Sequence, residues 1–152
     1  MPGQVDNSIV IKAPFDQVWD VTNDLQNWPS LFSEYADVEI LHQGDSLVTY
    51  RTTTHPDESG KAHSWVSERE ADREALTVRE RCIESGQFAF METRWEYEGL
   101  SEGVKMRWIH DFALKPTASM DDSATADRIN RNSKLQMALI QAEIEHQAST
   151  TG

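Results

Sequence analysis

The chain has 152 residues, with 26 acidic against 14 basic side chains and a net charge of −12. That is the size of one ordinary domain with enough residues to bury a core, so a single domain over residues 1–152 is expected. The acidic balance argues against a nucleic-acid partner, which needs a basic face, and no apolar run approaches the roughly 18–20 residues of a membrane span.

The opening Met1-Pro-Gly-Gln-Val-Asp6 has neither a basic nor an apolar stretch, so no signal peptide is expected. Cys82 is the single cysteine, which leaves no internal disulfide and no zinc spacing and suits a reducing cytoplasm. Against this polar background five tryptophans stand out: Trp19, Trp28, Trp65, Trp95 and Trp108.

Residues 8–12 are β-branched and end at Ala13-Pro14, which predicts a strand. Pro14 then starts a helix over 14–22, with Phe15, Val18 and Trp19 on one face. Asp24 is placed to cap a second short helix reaching Leu31, made irregular by Pro29. From about residue 34 the period becomes two. Six strands are predicted, over 35–42, 46–54, 61–71, 75–83, 88–98 and 103–114, separated by turn chemistry such as Gly44-Asp45 and Ser85-Gly86. Short turns between consecutive strands mean an antiparallel meander. After Lys115-Pro116 a helix is predicted from 124 to about 147, roughly 35 Å long, with a frayed tail over 148–152. Its apolar stripe is Ala126, Ile129, Ser133, Met137, Ile140 and Ile144.

This order gives an α+β helix-grip architecture: a curved antiparallel sheet of seven strands closed over one long helix, with two short helices after the first strand. A sheet wrapped around a single helix leaves a gap, so an internal cavity is expected. Alternation assigns its walls. In 61–71 the glutamates mark the even positions as solvent-facing, which sends His63, Trp65, Ser67 and Arg69 inward. In 88–98 Met91, Thr93, Trp95 and Tyr97 face in, and in 103–114 so do Met106, Trp108, His110 and Phe112. Asn130 and Ser133 continue the helix stripe as polar residues, as a wet cavity would ask.

Inward tryptophans are most often core, and a lone inward histidine is most often a satisfied core histidine. Arg69 resists that reading, because a buried guanidinium needs a partner. Either it pairs with Glu80, should Val78, Glu80 and Cys82 form the inner side of their strand, or it stands in a solvated pocket awaiting an oxygen-rich ligand.

Several runs resemble one family: Asp24-Leu-Gln-Asn-Trp-Pro-Ser-Leu-Phe-Ser-Glu-Tyr35, Trp65-Val-Ser-Glu-Arg69, Phe88-Ala-Phe-Met91, Trp95-Glu-Tyr97, Met106-Arg-Trp108 with Asp111-Phe112, and Asn130-Arg-Asn-Ser-Lys-Leu-Gln-Met137. They are similar to the aromatase/cyclases of bacterial type II polyketide synthases, in the spore-pigment-type subgroup. The resemblance covers nearly the whole chain in order and implies the helix-grip fold of START and Bet v 1 proteins. It implies an enzyme that takes a poly-β-ketone from an acyl carrier protein beside a minimal polyketide synthase. The enzyme would direct an intramolecular aldol closure of the first ring, with C9–C14 preferred, then dehydrate it. The positions matching the family's pocket arginine, tyrosine and serine are Arg69, Tyr35 and Ser67. His110 stands where the nearest subgroup tends to carry glutamine.

The expected catalytic set is therefore Arg69, Tyr35, Ser67 and His110. Arg69 would stabilise charge on oxygen, Tyr35 or Ser67 would move a proton, and His110 has a suitable pKa for a base. The expected pocket wall is Trp28, Phe32, His63, Trp65, Phe88, Met91, Thr93, Trp95, Tyr97, Met106, Trp108, Asn130, Ser133 and Met137. The rings would fold the flexible chain and exclude water. No cofactor and no metal are called for, and a monomer is expected. The alternative is a non-catalytic module of the same fold that binds or chaperones a hydrophobic ligand.

Overall fold

The computed structural model describes residues 3–33, 35–83, 88–116 and 121–151. Seven strands form one antiparallel sheet: β1 (Gly3–Ile11), β2 (Tyr35–Gln43), β3 (Leu47–Thr54), β4 (Ser64–Asp72), β5 (Thr77–Cys82), β6 (Phe88–Leu100) and β7 (Gly103–Leu114). Their order across the sheet is β1-β7-β6-β5-β4-β3-β2, so β2 to β7 make the expected meander and β1 docks on β7. Between β1 and β2 lie α1 (Phe15–Asn23), a 3-10 turn over Leu25–Asn27 and α2 (Trp28–Leu31). The long helix α3 (Asp122–Thr151) closes the inner face of the sheet. The helix-grip architecture predicted from the sequence is therefore present.

Three boundaries differ from expectation for physical reasons. β1 starts at Gly3, well before the β-branched run, because its register on β7 runs from Gly3↔Phe112 to Ile11↔Val104 and supplies ladder bonds that local propensity does not. Gly3 is needed there: a Cβ would lie 2.3 Å from the Phe112 ring. The predicted second helix is split, and Asp24 makes no side-chain cap. The C-terminal tail is helical to Thr151, since no proline or glycine interrupts it and Ser149 Oγ donates back to the His146 carbonyl at 2.9 Å.

α3 lies beside β1. Asn7 donates to Asn130 Oδ1 at 2.9 Å, Gln141 donates to the Val10 carbonyl at 2.6 Å, and the Lys12 amide donates to Glu145 at 2.9 Å. Asp121 caps the helix through the Ala124 amide at 2.6 Å. The buried face of α3 is Thr125, Ser133, Gln136, Met137, Ile140 and Ile144. Thus Thr125 rather than Ala126 is the buried residue of the first turn, and Gln136 joins the predicted stripe. With Ile11, Val18, Val78, Val104 and Met106, this face forms the apolar core.

Candidate functional site on the inner face

Alternation places the inner residues of β4, β6 and β7 on one surface. Its buried part holds Arg69, Ser67, Trp95, Tyr97, Met106, Trp108 and Phe112. Its half-open part holds Trp65, Met91, Thr93 and His110, with Tyr35 and Asn130 also half-buried. The two parts adjoin, because Arg69, Glu80, Thr93 and His110 follow one another across β4 to β7 in one row of the sheet. The expected cavity is not an open one in the buried part, because the rings fill it. Trp95 stacks on Trp108 at 4.8 Å between centroids and on Trp28 at 6.0 Å, and Phe32 stacks on Trp108 at 5.9 Å. Trp28 and Phe32 reach this stack from the first residue and the C-cap of α2, with Pro29 in its first turn.

In the buried part Arg69 makes the pair with Glu80 that the sequence left open as one of two uses. The two residues are directly opposed in the β4–β5 ladder, so their side chains leave the sheet together. Glu80 also accepts from Tyr50 Oη at 3.0 Å, and the other arm of Arg69 donates to Asn23 Oδ1 at 2.8 Å. The guanidinium lies over the Trp95 ring at 4.3 Å and the Trp28 ring at 5.0 Å. Nearby, Thr22 Oγ1 and Tyr97 Oη share a hydrogen bond of 2.7 Å. Burial pushes Tyr97 up to about 12 and raises Tyr50 well above the usual phenol range, so both stay protonated. Ser67 Oγ donates to Cys82 Sγ at 3.6 Å, and burial raises that thiol.

In the half-open part the centre is His110. Its Nδ1 shares a hydrogen bond of 3.0 Å with Thr93 Oγ1, its partner across the β6–β7 ladder. Its Nε2 shares one of 3.2 Å with Ser133 Oγ of α3. Burial lowers its pKa to about 4, so at neutral pH the imidazole is uncharged, with one N–H to donate and one lone pair that accepts. Tyr35 packs against Phe32 at 4.9 Å and faces Trp65 edge-on at 6.3 Å. The geometry therefore joins Thr93, His110 and Ser133 in one chain, with aromatic walls beside it.

One expected site residue, His63, falls elsewhere. His63 precedes β4 and is exposed, bonded to Asp57 at 3.1 Å. Asp57 gathers that loop, accepting also from the Ser59 hydroxyl at 2.6 Å and from the amides of Lys61 at 3.1 Å and Ser59 at 2.9 Å, and these bonds hold its carboxyl well below the usual range. The β3–β4 ladder ends at Thr53↔Ser64, so alternation counted from residue 61 does not apply to His63. Phe88 opens β6, but its side chain lies outside the described residues. Met137 is core, and Asn130 is tied to Asn7 on β1.

Three contributors escaped the sequence reading. Gln136 is buried and clasps Ser33, accepting from its amide at 3.0 Å and donating to its Oγ at 3.0 Å. It sits one turn beyond Ser133, so helical spacing alone pointed to it. Tyr50 was reachable by alternation in β3, where it opposes Ser67. Asn23, at the end of α1, carried no periodic signal.

Among the described residues no three His, Cys, Asp or Glu side chains converge to hold a metal, and no helix is long and apolar enough to cross a membrane. Residues 2–145 match the family described as polyketide cyclase/dehydrase and lipid transport. A Streptomyces cyaneus protein named as a candidate polyketide cyclase is 55% identical over 151 residues, 99% of either chain. The bifunctional cyclase/dehydratase of the actinorhodin polyketide synthase, from Streptomyces coelicolor, is 25% identical over 95% of this chain and 45% of its own length. The crystal structure of the Zhui aromatase/cyclase of Streptomyces sp. R1128 superposes with a TM-score of 0.84 at 21% identity, covering 97% of this chain and 96% of that one.

Proposed function

Because the chain belongs to the polyketide cyclase/dehydrase and lipid transport family, we propose that it closes and dehydrates the first ring of a poly-β-ketone presented by an acyl carrier protein. The ring register proposed is C9–C14, the enzyme acts as a monomer beside a minimal polyketide synthase, and it needs no cofactor. One observation carries the reading: a neutral His110 held between two hydroxyls in the half-open part of an aromatic inner face.

Methylene protons between two ketones are acidic enough for an imidazole to remove. The half-buried Thr93 hydroxyl takes such a proton while passing its own to His110 Nδ1, and Ser133 Oγ accepts the hydrogen bond of the opposite Nε2–H. The proton stays on the imidazole as an imidazolium paired with the enolate, a state that burial disfavours and that is therefore short-lived. The enolate carbon attacks a second ketone, a carbon–carbon bond forms, and the carbonyl electrons become an alkoxide. Tyr35, also half-buried, is assigned the proton donor to that oxygen, and the proton held on His110 replaces the one it gives up. Loss of water then follows. Trp65, Trp95 and Met91 supply flat walls that hold the chain curled and keep water away.

Arg69 and Ser67 are assigned a different part from the one the resemblance implies. Their polar atoms already face Glu80, Asn23 and Cys82, so Arg69 acts as a positioning residue that fixes Trp28 and Trp95. The test is reconstitution with a minimal polyketide synthase, with products read by mass spectrometry. A new product with a C9–C14 first ring is expected. Products unchanged by the protein would defeat the cyclase reading and favour the binding alternative.

A further inference from the structure

Trp108 has a feature that a passive wall does not need. Its indole Nε1–H is buried and, among the described residues, has no hydrogen-bond partner. A buried donor left unpaired costs on the order of 1–3 kcal/mol and calls for an explanation. The side chain is 4% exposed, between the Trp95 and Phe32 rings, with the His110 ring edge-on at 6.4 Å. Both His110 nitrogens are already engaged by Thr93 and Ser133, so that ring offers Trp108 no acceptor.

The surroundings narrow what would satisfy this donor. A carboxylate or phosphate would arrive without a counter-charge, since Arg69 is paired with Glu80. A plain hydrocarbon chain brings no acceptor. A trapped water wants two to four polar partners, and stacked rings supply few. A ketone oxygen on an otherwise flat, apolar molecule fits all these conditions: it is neutral, it accepts one hydrogen bond, and its carbon frame suits the rings. We propose that a ligand entering from the half-open part displaces the rings stacked on Trp108, and that the Trp108 indole N–H then donates a hydrogen bond to a keto oxygen of that ligand, so that Trp108 sets which carbonyl lies beside His110. The identity of that ligand as a polyketone rests on the function proposed above.

The test uses two probes of the same shape, 2-acetylnaphthalene and 2-isopropylnaphthalene, added to the whole protein labelled with 15N at its tryptophan side chains. Trp108→Phe identifies the Trp108 indole signal by its loss, and contacts from the indole proton to the Phe32 ring identify it in the unsubstituted protein should that variant not fold. The expected result is a downfield shift of the Trp108 indole proton with the ketone and not with the hydrocarbon. Trp108→Phe is also expected to weaken the ketone about tenfold and the hydrocarbon far less, in line with one lost hydrogen bond. Equal shifts, or equal weakening, would overturn the donor role. Binding of neither probe would overturn it together with the inner site. A minimal synthase whose products ignore the protein would defeat the cyclase reading alone, because the ketone preference is read without turnover.

Discussion

Two polar groups adjoin in one row of the inner face and use similar residue types differently. In the buried one Arg69 is paired with Glu80 and Asn23, Tyr50 donates to Glu80, and indoles lie over the guanidinium. In the half-open one the Thr93–His110–Ser133 chain is also hydrogen-bonded, yet Thr93 and His110 keep partial exposure. A charge buried with its partner is costly to disturb and adds little net stability. A neutral chain of hydroxyls and imidazole can take up a proton without unpairing anything. The difference suggests that the buried part is scaffold and the half-open part is where chemistry happens.

The largest effect expected from breaking this contrast is in the buried part. Arg69→Ala strands the Glu80 carboxylate among rings and should destabilise the fold by roughly 3–5 kcal/mol, read by urea unfolding. Adding Glu80→Gln should recover part of that loss; a double variant no better than the single would mean that the pair itself matters little. In the half-open part His110→Gln keeps a donor and an acceptor but removes the base. It should lower cyclised product by about 100-fold or more while changing unfolding free energy by less than about 1 kcal/mol.

The pH dependence sharpens the same contrast. The folded pKa of His110, about 4, lies below the ordinary histidine value, so the unfolded chain binds its proton first as pH falls. The stability contributed by burying a neutral His110 is therefore complete above the ordinary value of about 6.5, is lost between there and about 4, and amounts to up to roughly 3 kcal/mol. His110→Gln should flatten that part of a stability-against-pH curve. The acid limb of kcat/KM should fall near pH 4 rather than near 6.5. The smallest effect is at the seam between the parts. Gln136→Ala leaves the Ser33 amide unpaired and should cost on the order of 1–3 kcal/mol in thermal or urea unfolding, with product profile retained.

How much of this was legible in the sequence follows from where periodicity applies. The meander and the inward set of β6 and β7 came from period two, because alternating charged residues mark one side of each strand, and the closing helix came from an apolar stripe at helical spacing. The same rule failed at His63, where the ladder had already ended and Asp57 had drawn the loop outward. Alternation also put Glu80 within reach of Arg69, but only the register, which places them opposite, chose the pair over an open guanidinium. The fill of the expected gap was not legible at all. Trp28 and Phe32 come from the irregular segment after α1, where no period says which way a ring points.

The most direct test of the central claim compares the unsubstituted protein, His110→Gln and Arg69→Lys in one reconstituted minimal synthase, with products counted per molecule of folded protein. The account predicts that His110→Gln loses the first-ring product at unchanged stability. Arg69→Lys, which keeps the charge beside Glu80, should lose stability while its folded fraction still cyclises. Full cyclisation by His110→Gln together with none by folded Arg69→Lys would place the chemistry in the buried part and contradict it.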